Sequence, residues 1–172
     1  MKQKKKSRKR AGAFLKFLII FVLLVTALAF IALSPLFNIK SIVVKGCSRY
    51  KSEDIAAMSG IVTGQNAFRY MAGSPSDILR MRFGNAEKNI SYKCPYIKTI
   101  KASLASPSTV KIDISERQPA AVVPCLGTGL ITDNEGYVLQ MASDEGTSGL
   151  LTIKGLEFDK YQVGKPDRKS VV

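Results

Sequence analysis

The sequence lacks the side chain that most often serves as a general acid or base in catalysis. Its 172 residues include no histidine and no tryptophan, and its three cysteines, Cys47, Cys94 and Cys125, lie far apart along the chain. A histidine general base, a cysteine–histidine pair and a histidine-ligated metal are therefore excluded. The cysteines are too few and too scattered for a structural zinc site, and the phosphate-binding glycine patterns of nucleotide-binding loops do not occur.

A serine–lysine site or a pair of carboxylates is compatible with this composition, but no spacing of these residues indicates one. We expect no enzymatic activity, no catalytic or metal-binding residue and no cofactor. A membrane-tethered hydrolase is the least favoured class of function. A protein without such a site acts through its surface patches and strand edges, because an open edge can accept a strand from a partner.

The longest apolar stretch lies near the N-terminus. Residues 17–37 carry no charged side chain, and at a helical rise of about 1.5 Å per residue they span roughly 31 Å, about the hydrocarbon thickness of a bilayer. The stretch predicts a single transmembrane helix over residues 14–36. Pro35 biases Ser34 out of the helical conformation, so the helix should end near Leu33 or Ser34.

A cleaved signal peptide is the alternative interpretation of this stretch. Ala27-Leu28-Ala29 would supply the small residues of the cleavage site. The apolar run continues beyond it through Leu33, which makes it longer than the roughly 7 to 15 residues of a signal-peptide core. A membrane anchor therefore fits the sequence better.

The first 13 residues form a basic tail. Seven of the first twelve residues are Lys or Arg and none is acidic. The positive-inside rule then places the N-terminus in the cytoplasm and the rest of the chain outside the cell membrane. A disordered determinant of topology and a segment attracted to anionic lipid are both open interpretations of the tail. From Asn38 onward there are eighteen basic and thirteen acidic residues, an excess too small to indicate nucleic-acid binding.

The outer part begins with a predicted strand over residues 37–46. Its β-branched residues favour this structure, and Gly46 should end it. The alternation puts Ile42 and Val44 on one face of the strand. The opposite face would carry Ile39, Ser41 and Val43.

Helix signals follow the strand. Ser52 is the expected N-cap of a short helix that Gly60 closes. Ser76 or Asp77 is the expected cap of a second helical piece, which carries the apolar residues Ile78, Leu79 and Met81. A third helical piece is predicted near residues 86–90.

Two strand-like runs, residues 96–105 and 109–116, predict a β-hairpin with Pro107 in the middle of its turn. In the second run Val110, Ile112 and Ile114 alternate with polar residues, as in a half-buried strand. The order strand, helix, helix, strand, strand is typical of a small sheet covered on one side by two helices. It indicates the α+β class.

The hairpin also bears on the cysteines. With its centre at Pro107, Cys94 falls opposite about Ala120, so Cys125 would have to bend back to reach it. A disulfide between Cys94 and Cys125 and a set of free, partly buried thiols are both open. An odd number of cysteines leaves at least one thiol unpaired in either case.

Six short motifs follow one another along the outer part. They are FNIKSIVVKG at 37–46, SEDI at 52–55, GQNAF at 64–68, CPYIK at 94–98, SPSTV at 106–110 and ISERQPA at 114–120. Together they resemble the POTRA domain of the FtsQ/DivIB family of bacterial cell-division proteins, in which a basic tail and one membrane span also precede the domain. The resemblance implies a cytoplasmic tail at 1–13, a transmembrane helix at 14–36, a POTRA domain of order β-α-α-β-β at 37–123 and a partial all-β domain at 124–172.

The motif residues are expected to have structural roles and none is a catalytic candidate. Glycines should serve backbone turns and prolines should bracket strands, while Arg117 should form a surface ion pair with the neighbouring Glu116. The positions concerned are Gly46, Gly64, Pro95, Pro107, Glu116, Arg117 and Pro119.

The resemblance also implies a function. Members of this family are non-enzymatic, single-pass scaffolds of the divisome that bind other membrane-anchored division proteins, FtsB/DivIC-like and FtsL-like, at the septum. The alternative is a POTRA-bearing envelope protein with a role in secretion or sporulation.

After Pro119 the chain should be all-β. Short strands are predicted at 120–123, 129–132, 137–141 and 150–154, with a hairpin turn at 133–136. This hairpin resembles the opening hairpin of the family's β domain, and the match then stops. The family's partner-binding strand lies in the later part of that domain. We therefore expect a partial domain with an open edge at 150–154 that does not hold an FtsB/DivIC-like partner.

Overall fold

A computed structural model describes residues 4–71, 74–125, 127–143, 149–153 and 163–164, with side chains from residue 14 onward. These ranges form a long N-terminal helix, a three-stranded sheet accompanied by shorter helices, and a four-stranded sheet. The predicted α+β class is confirmed.

Helix α1, Lys4–Ala32, contains the predicted span. Its segment Phe14–Ala32, 19 residues, is long and apolar enough to cross a membrane, and its side chains are not buried against the rest of the protein. A 3₁₀ turn at Pro35–Phe37 follows, so the helix ends just before the proline expected to stop it. The helix also runs back through the basic tail to Lys4. Lys, Arg and Ala are good helix formers, and extending an existing helix is far easier than nucleating one.

The first sheet consists of β1 (Ser41–Lys45), β2 (Ile97–Ser106) and β3 (Thr109–Glu116), in the order β1-β3-β2. Strand β1 runs parallel to β3, and β2 runs antiparallel to it. The opposed pair Ile100 and Ile114 confirms the hairpin register that is centred on Pro107.

Helices α2 (Ser52–Ser59) and α4 (Gly84–Lys93) pack against each other and against this sheet. A shorter helix, α3 (Pro75–Leu79), and a 3₁₀ turn at Ala67–Arg69 lie between them in the chain. The core that they enclose is apolar. Its fully buried members include Ile39, Ile55, Phe83, Ile90 and Ile112.

The face assigned to Ile39 in the sequence is wrong. Strand β1 starts at Ser41, so the strand alternation does not extend back to Ile39. The Ile39 amide donates to Gln65 O at 2.9 Å, and its carbonyl accepts from the Gly64 amide at 2.7 Å. These bonds turn Ile39 into the core, whereas Val43, predicted to share its face, is 39% exposed.

Two predicted helix caps are also wrong. Ser52 is the first residue of α2 and the cap position is Lys51, whose side chain makes no capping bond. Helix α3 begins earlier than expected, because Ser74 caps it by accepting a hydrogen bond from the Ser76 amide. Gly60 closes α2 in the left-handed conformation, as predicted.

The second sheet consists of β4 (Pro119–Cys125), β5 (Thr128–Asp133), β6 (Val138–Met141) and β7 (Leu151–Thr152), in the order β6-β5-β4-β7. The β5–β6 hairpin turns where the sequence predicted it. Strand β7 lies at the sheet edge, pairs parallel with β4 and is shorter than predicted. Lys154, the predicted end of that strand, lies outside the described residues.

Candidate partner-binding surfaces

The three cysteines are free and lie in different surroundings. Cys94 is buried in the core of the first sheet, where its thiol donates to the Met58 sulfur at 3.4 Å. Cys125 is buried in the second sheet against Leu130 and Val138. The two thiols belong to separate cores, so the structure does not form the Cys94–Cys125 disulfide. Burial raises the pKa of the Cys94 thiol, which keeps it protonated at neutral pH.

The described residues contain no group of three or more His, Cys, Asp or Glu side chains that could hold a metal ion. A group of hydrogen-bonded polar side chains lies at the end of the first sheet, where β3 leads into β4. This polar region connects the two sheets.

Gly46 follows β1 at a point where only glycine fits. Its φ is +78°, and a Cβ atom there would lie 2.1 Å from the carbonyl oxygen of Ile114. Gly64 has a φ of +84° and forms a turn with open space beside it. Of the prolines, Pro95 lies just before β2, Pro107 lies in the β2–β3 turn and Pro119 begins β4.

Glu116, the last residue of β3, holds the loop after Gly46. Its carboxylate accepts hydrogen bonds from the amides of Ser48 (3.0 Å) and Arg49 (2.9 Å), from the Ser48 hydroxyl (2.8 Å) and from the Cys47 thiol (3.2 Å). Burial alone would raise the pKa of Glu116, but these hydrogen bonds together lower it below its usual value. The loop is thereby fixed to the end of β3.

Arg117 does not pair with Glu116, so the predicted surface ion pair is wrong. Its side chain is only 10% exposed, and Nη1 donates to Asp133 Oδ2 at 2.5 Å and to Glu135 Oε2 at 3.0 Å. Its guanidinium carbon lies 3.7 Å from the centre of the Tyr137 ring. Consecutive residues of an extended chain point to opposite faces, so Glu116 and Arg117 reach different parts of the molecule.

Asp133 ends β5, and its side chain is 3% exposed. Oδ1 accepts hydrogen bonds from the amides of Glu135 (2.9 Å) and Tyr137 (2.8 Å), while Oδ2 accepts from Arg117. Burial alone would raise the pKa of Asp133, but the bonds from Tyr137 and Arg117 outweigh it and lower the pKa. Aspartate is common at the start of a turn, which is a signal in the sequence. Nothing in the sequence indicates that Arg117 is its partner.

Two further contacts connect the sheets. Lys98 of β2 pairs with Glu135 at 2.5 Å. The guanidinium of Arg49 lies 3.8 Å from the ring centre of Tyr96, which is buried in an apolar cluster with residues of the second sheet. The inter-sheet junction is defined here as Arg49, Tyr96, Lys98, Arg117, Asp133, Glu135 and Tyr137. It ties the β5–β6 turn to β2 and to the end of β3.

The outer edge of β2 is covered along only part of its length. The Phe83 amide donates to Ala102 O at 3.0 Å, and the Leu104 amide donates to Met81 O at 3.0 Å. Because backbone groups alternate in direction along a strand, those of Ile100 also point outward. No described residue pairs with the backbone of Ile100 on that side. Among the described residues, the edge is therefore open before Ala102.

A groove of about 580 Å³ runs along this open stretch. We call it the β2 groove, and its lining includes Arg82, Glu87, Tyr92, Ile97, Lys98 and Ile100. Tyr92 is 90% exposed, and Leu79 of the adjoining helix α3 is 87% exposed. An open strand edge beside exposed apolar side chains is a surface that suits an extended peptide segment.

Comparison with known proteins agrees with this architecture. Residues 37–117 match the family described as POTRA domain, FtsQ-type. The cell division protein DivIB of Clostridium botulinum (strain Hall) is 29% identical over 161 residues, which cover 93% of this chain and 57% of the relative.

Two further relatives carry the same kind of name. The cell division protein FtsQ of Corynebacterium glutamicum is 30% identical over 118 residues, 68% of this chain and 48% of the relative. DivIB of Clostridium tetani is 28% identical over 132 residues, 77% of this chain and 45% of the relative. The chain spans about half the length of these relatives. With its apolar N-terminal helix, its strand and helix order and these matches, the chain belongs to the FtsQ/DivIB family.

Proposed function

We propose that the chain is a non-enzymatic, single-pass membrane scaffold of the bacterial divisome. The observation that carries this proposal is a helix long and apolar enough to cross a membrane, joined directly to an FtsQ-type POTRA domain that keeps a strand edge open. The names of the relatives, all cell division proteins, support a role in division.

The proposed topology follows from the charges beside the span. The basic tail lies in the cytoplasm, and residues 37–172, with the POTRA domain and the second sheet, lie outside the cell membrane. In this orientation every strand edge faces the compartment where the outer parts of other membrane-anchored division proteins are found.

The proposed partners are FtsB/DivIC-like and FtsL-like proteins. Because the partial β domain is expected not to hold such a partner, the β2 groove of the POTRA domain is the proposed contact. An extended partner segment would add beside β2 and use the outward backbone groups of Ile100, while its apolar side chains cover Tyr92 and Leu79. Main-chain hydrogen bonds would supply affinity, and the groove side chains would supply specificity. The inter-sheet junction would keep the second sheet fixed at the end of this surface.

A fluorescent fusion to the N-terminus of the full chain tests this proposal in dividing cells. Bands at mid-cell are expected. Uniform labelling of the envelope would contradict a division role and would favour a POTRA protein with a secretion or sporulation role. A fusion that lacks residues 1–33 is the matched control and should not label the membrane.

A further inference from the structure

The connection between the membrane helix and the POTRA domain is very short. Helix α1 ends at Ala32, and only Leu33 and Ser34 separate it from the 3₁₀ turn Pro35–Phe37. Asn38 then forms a β-bridge with Asn66. The domain therefore begins within a few residues of the helix end, with no flexible linker between them.

Asn66 joins the helix to the domain with a single side chain. Its Nδ2 donates to the carbonyl oxygens of Ala32 at 3.0 Å and of Ser34 at 3.3 Å. Carbonyl groups at a helix C-terminus lack partners within the helix, and Ala32 is the last residue of α1, so the bond to Ala32 is one that the helix end needs. The Oδ1 atom of Asn66 accepts from the Phe68 amide at 3.0 Å and caps the 3₁₀ turn Ala67–Arg69.

Other contacts reinforce this attachment. The rings of Phe37 and Phe68 meet edge to face, with 5.1 Å between their centres. The backbone bonds of Ile39 to Gln65 and Gly64 continue the connection on the other side. The loop at residues 61–66 is thus fixed beside the end of α1.

The strand directions show which end of the domain lies next to the end of α1. Strand β1 starts near α1 and β3 runs parallel to it, so both strands lead away from the helix end. The Lys40 amide donates a hydrogen bond to Ser108 O at 2.7 Å, which places the β2–β3 turn at the end of the domain near α1, the near end. Five residues of β1 cover about 16 Å. Glu116, the inter-sheet junction and the second sheet therefore lie at the far end.

The near end presents side chains that suit a lipid surface. In the proposed anchoring, the 19-residue segment Phe14–Ala32 of α1 spans about 28 Å, close to the thickness of the hydrocarbon core, so the residues after Ala32 enter the headgroup layer. Leu33, Leu36 and Val62 are exposed apolar residues there, and the exposed cations Lys40 and Arg69 accompany them. Apolar side chains among cations are the composition that binds an anionic interface.

We propose that residues 33–37 and 61–69 form a membrane seat, a surface that lies in the headgroup layer. The hydrogen bonds of Asn66 hold this surface at the end of α1. This inference rests on the proposed membrane anchoring of α1. Its occupant is the bilayer surface itself, because the seat continues directly from the apolar surface of the helix. The POTRA domain is then held at a fixed height, with the second sheet pointing away from the membrane.

The absence of tryptophan from the natural sequence allows a direct test. Three single-tryptophan versions of the full chain, Phe21→Trp in the span, Val62→Trp in the seat and Leu151→Trp at the far end, are placed in vesicles of equal parts phosphatidylglycerol and phosphatidylcholine. The phosphatidylcholine carries bromine atoms near its headgroup or deep in its acyl chains. We expect shallow bromine to quench Val62→Trp about twofold more than Leu151→Trp, because indole rings settle at headgroup level.

The possible quenching results distinguish the membrane seat from the proposed membrane anchoring of α1. If Phe21→Trp is quenched by deep bromine but Val62→Trp is quenched no more than Leu151→Trp, the seat is overturned and the anchoring stands. If Phe21→Trp is not quenched, the proposed anchoring fails and the seat fails with it. The proposed function and this inference are thus tested by different tryptophans.

A second variant tests the role of Asn66. Asn66→Asp in the Val62→Trp background keeps the acceptor for the Phe68 amide but removes both donors to the helix end. We expect the quenching of Val62→Trp to fall to the level of Leu151→Trp, while quenching of Phe21→Trp in its own Asn66→Asp version is unchanged. Undiminished quenching of Val62→Trp would show that Asn66 does not hold the membrane seat at the end of α1.

Discussion

Arg117 and Asp133 form an ion pair that water scarcely reaches, whereas Lys111 and Asp113 form an exposed one. The side chains of the first pair are 10% and 3% exposed, and those of the second are 37% and 39% exposed. Exposed pairs contribute between about 0 and 1 kcal/mol, because water screens them. Removing one partner of a buried pair costs about 3–5 kcal/mol, because a charge is left without a counterion. Burial therefore decides which pair matters.

Arg117→Ala should lower the free energy of unfolding of residues 38–172 by about 3–5 kcal/mol, because the carboxylate of Asp133 stays buried without its cation. Lys111→Ala is the matched control and should lower it by less than about 1 kcal/mol. Urea unfolding followed by tyrosine fluorescence measures both. Equal losses for the two variants would show that the buried pair has no special role in joining the sheets.

The carboxylates of Glu116 and Asp133 both have a lowered pKa in the folded protein. The unfolded chain therefore binds protons at a higher pH than the folded one does. The stability that these groups contribute is fully present above their unfolded pKa values, near 4. It is lost as the pH falls through the lower pKa values of the folded state.

Glu116→Gln should flatten this acid dependence. The amide keeps one acceptor for the loop amides and does not titrate, so its variant loses less stability between pH 5 and pH 3 than the natural chain does, although it is less stable at pH 7. Urea midpoints at a series of pH values measure the difference. An unchanged slope in the acid range would mean that the bonds to Ser48 and Arg49 do not depend on the charge of Glu116.

Among the elements, the turn after α3 has a strained backbone at one residue, and this residue contacts β2. Met81 has a φ of +51°, and it is the one residue other than glycine with a positive φ in the described part of the chain. The left-handed conformation costs such a residue about 1–2 kcal/mol. It directs the Met81 carbonyl to the Leu104 amide, which attaches the following segment to β2. The length of the covered β2 edge depends on this turn.

Met81→Gly should therefore be neutral or stabilising by up to about 1 kcal/mol, because relief of strain offsets the greater freedom of glycine in the unfolded chain. Arg80→Gly, one residue earlier at a φ of −91°, is the control and should cost about 1 kcal/mol. Thermal unfolding by circular dichroism compares them. Two variants with the same sign and size of effect would argue against strain at Met81.

At the scale of the whole molecule, helix α1 and the inter-sheet junction lie at opposite ends of the POTRA sheet, and the β2 groove runs along its side. Charged groups lie at both ends as well. The buried ion pair of Arg117 and Asp133 is at the junction, and the basic tail precedes the apolar segment of α1. In the proposed function, a partner that is itself anchored in the membrane would approach this domain from the side. The groove is therefore in a suitable position for it.

Tyr92→Glu should weaken binding of the proposed FtsB/DivIC-like partner about tenfold, or about 1.4 kcal/mol, because tyrosine is enriched among the few interface residues that carry most of the binding energy. The residue is almost fully exposed, so folding should be unaffected. Leu151→Glu, at the exposed edge of the second sheet, is the control and should bind as the natural chain does. Binding to the purified outer domain of the partner measures both. Loss of binding only with Leu151→Glu would assign the partner to β7.

Features that depend on neighbouring residues could be predicted from the sequence. The apolar length of the span and its end before Pro35 are local, because hydrocarbon thickness and proline sterics act on a short segment. The β2–β3 register followed from the turn at Pro107, and the closure of α2 followed from the left-handed conformation that Gly60 allows. The order of these elements was enough to predict the α+β class.

Features that join distant segments were decided only by the tertiary structure. The alternation of a strand could not place Ile39, because its direction is set by bonds to a loop some 25 residues later. The sequence put Glu116 beside Arg117, but packing of the second sheet separated them and gave Arg117 a partner 16 residues away. The open edge of β2 depends on how far the segment after α3 follows that strand. Hydrogen bonds and burial between distant segments depend on how the whole chain packs. A pattern of neighbouring residues in the sequence does not determine that packing.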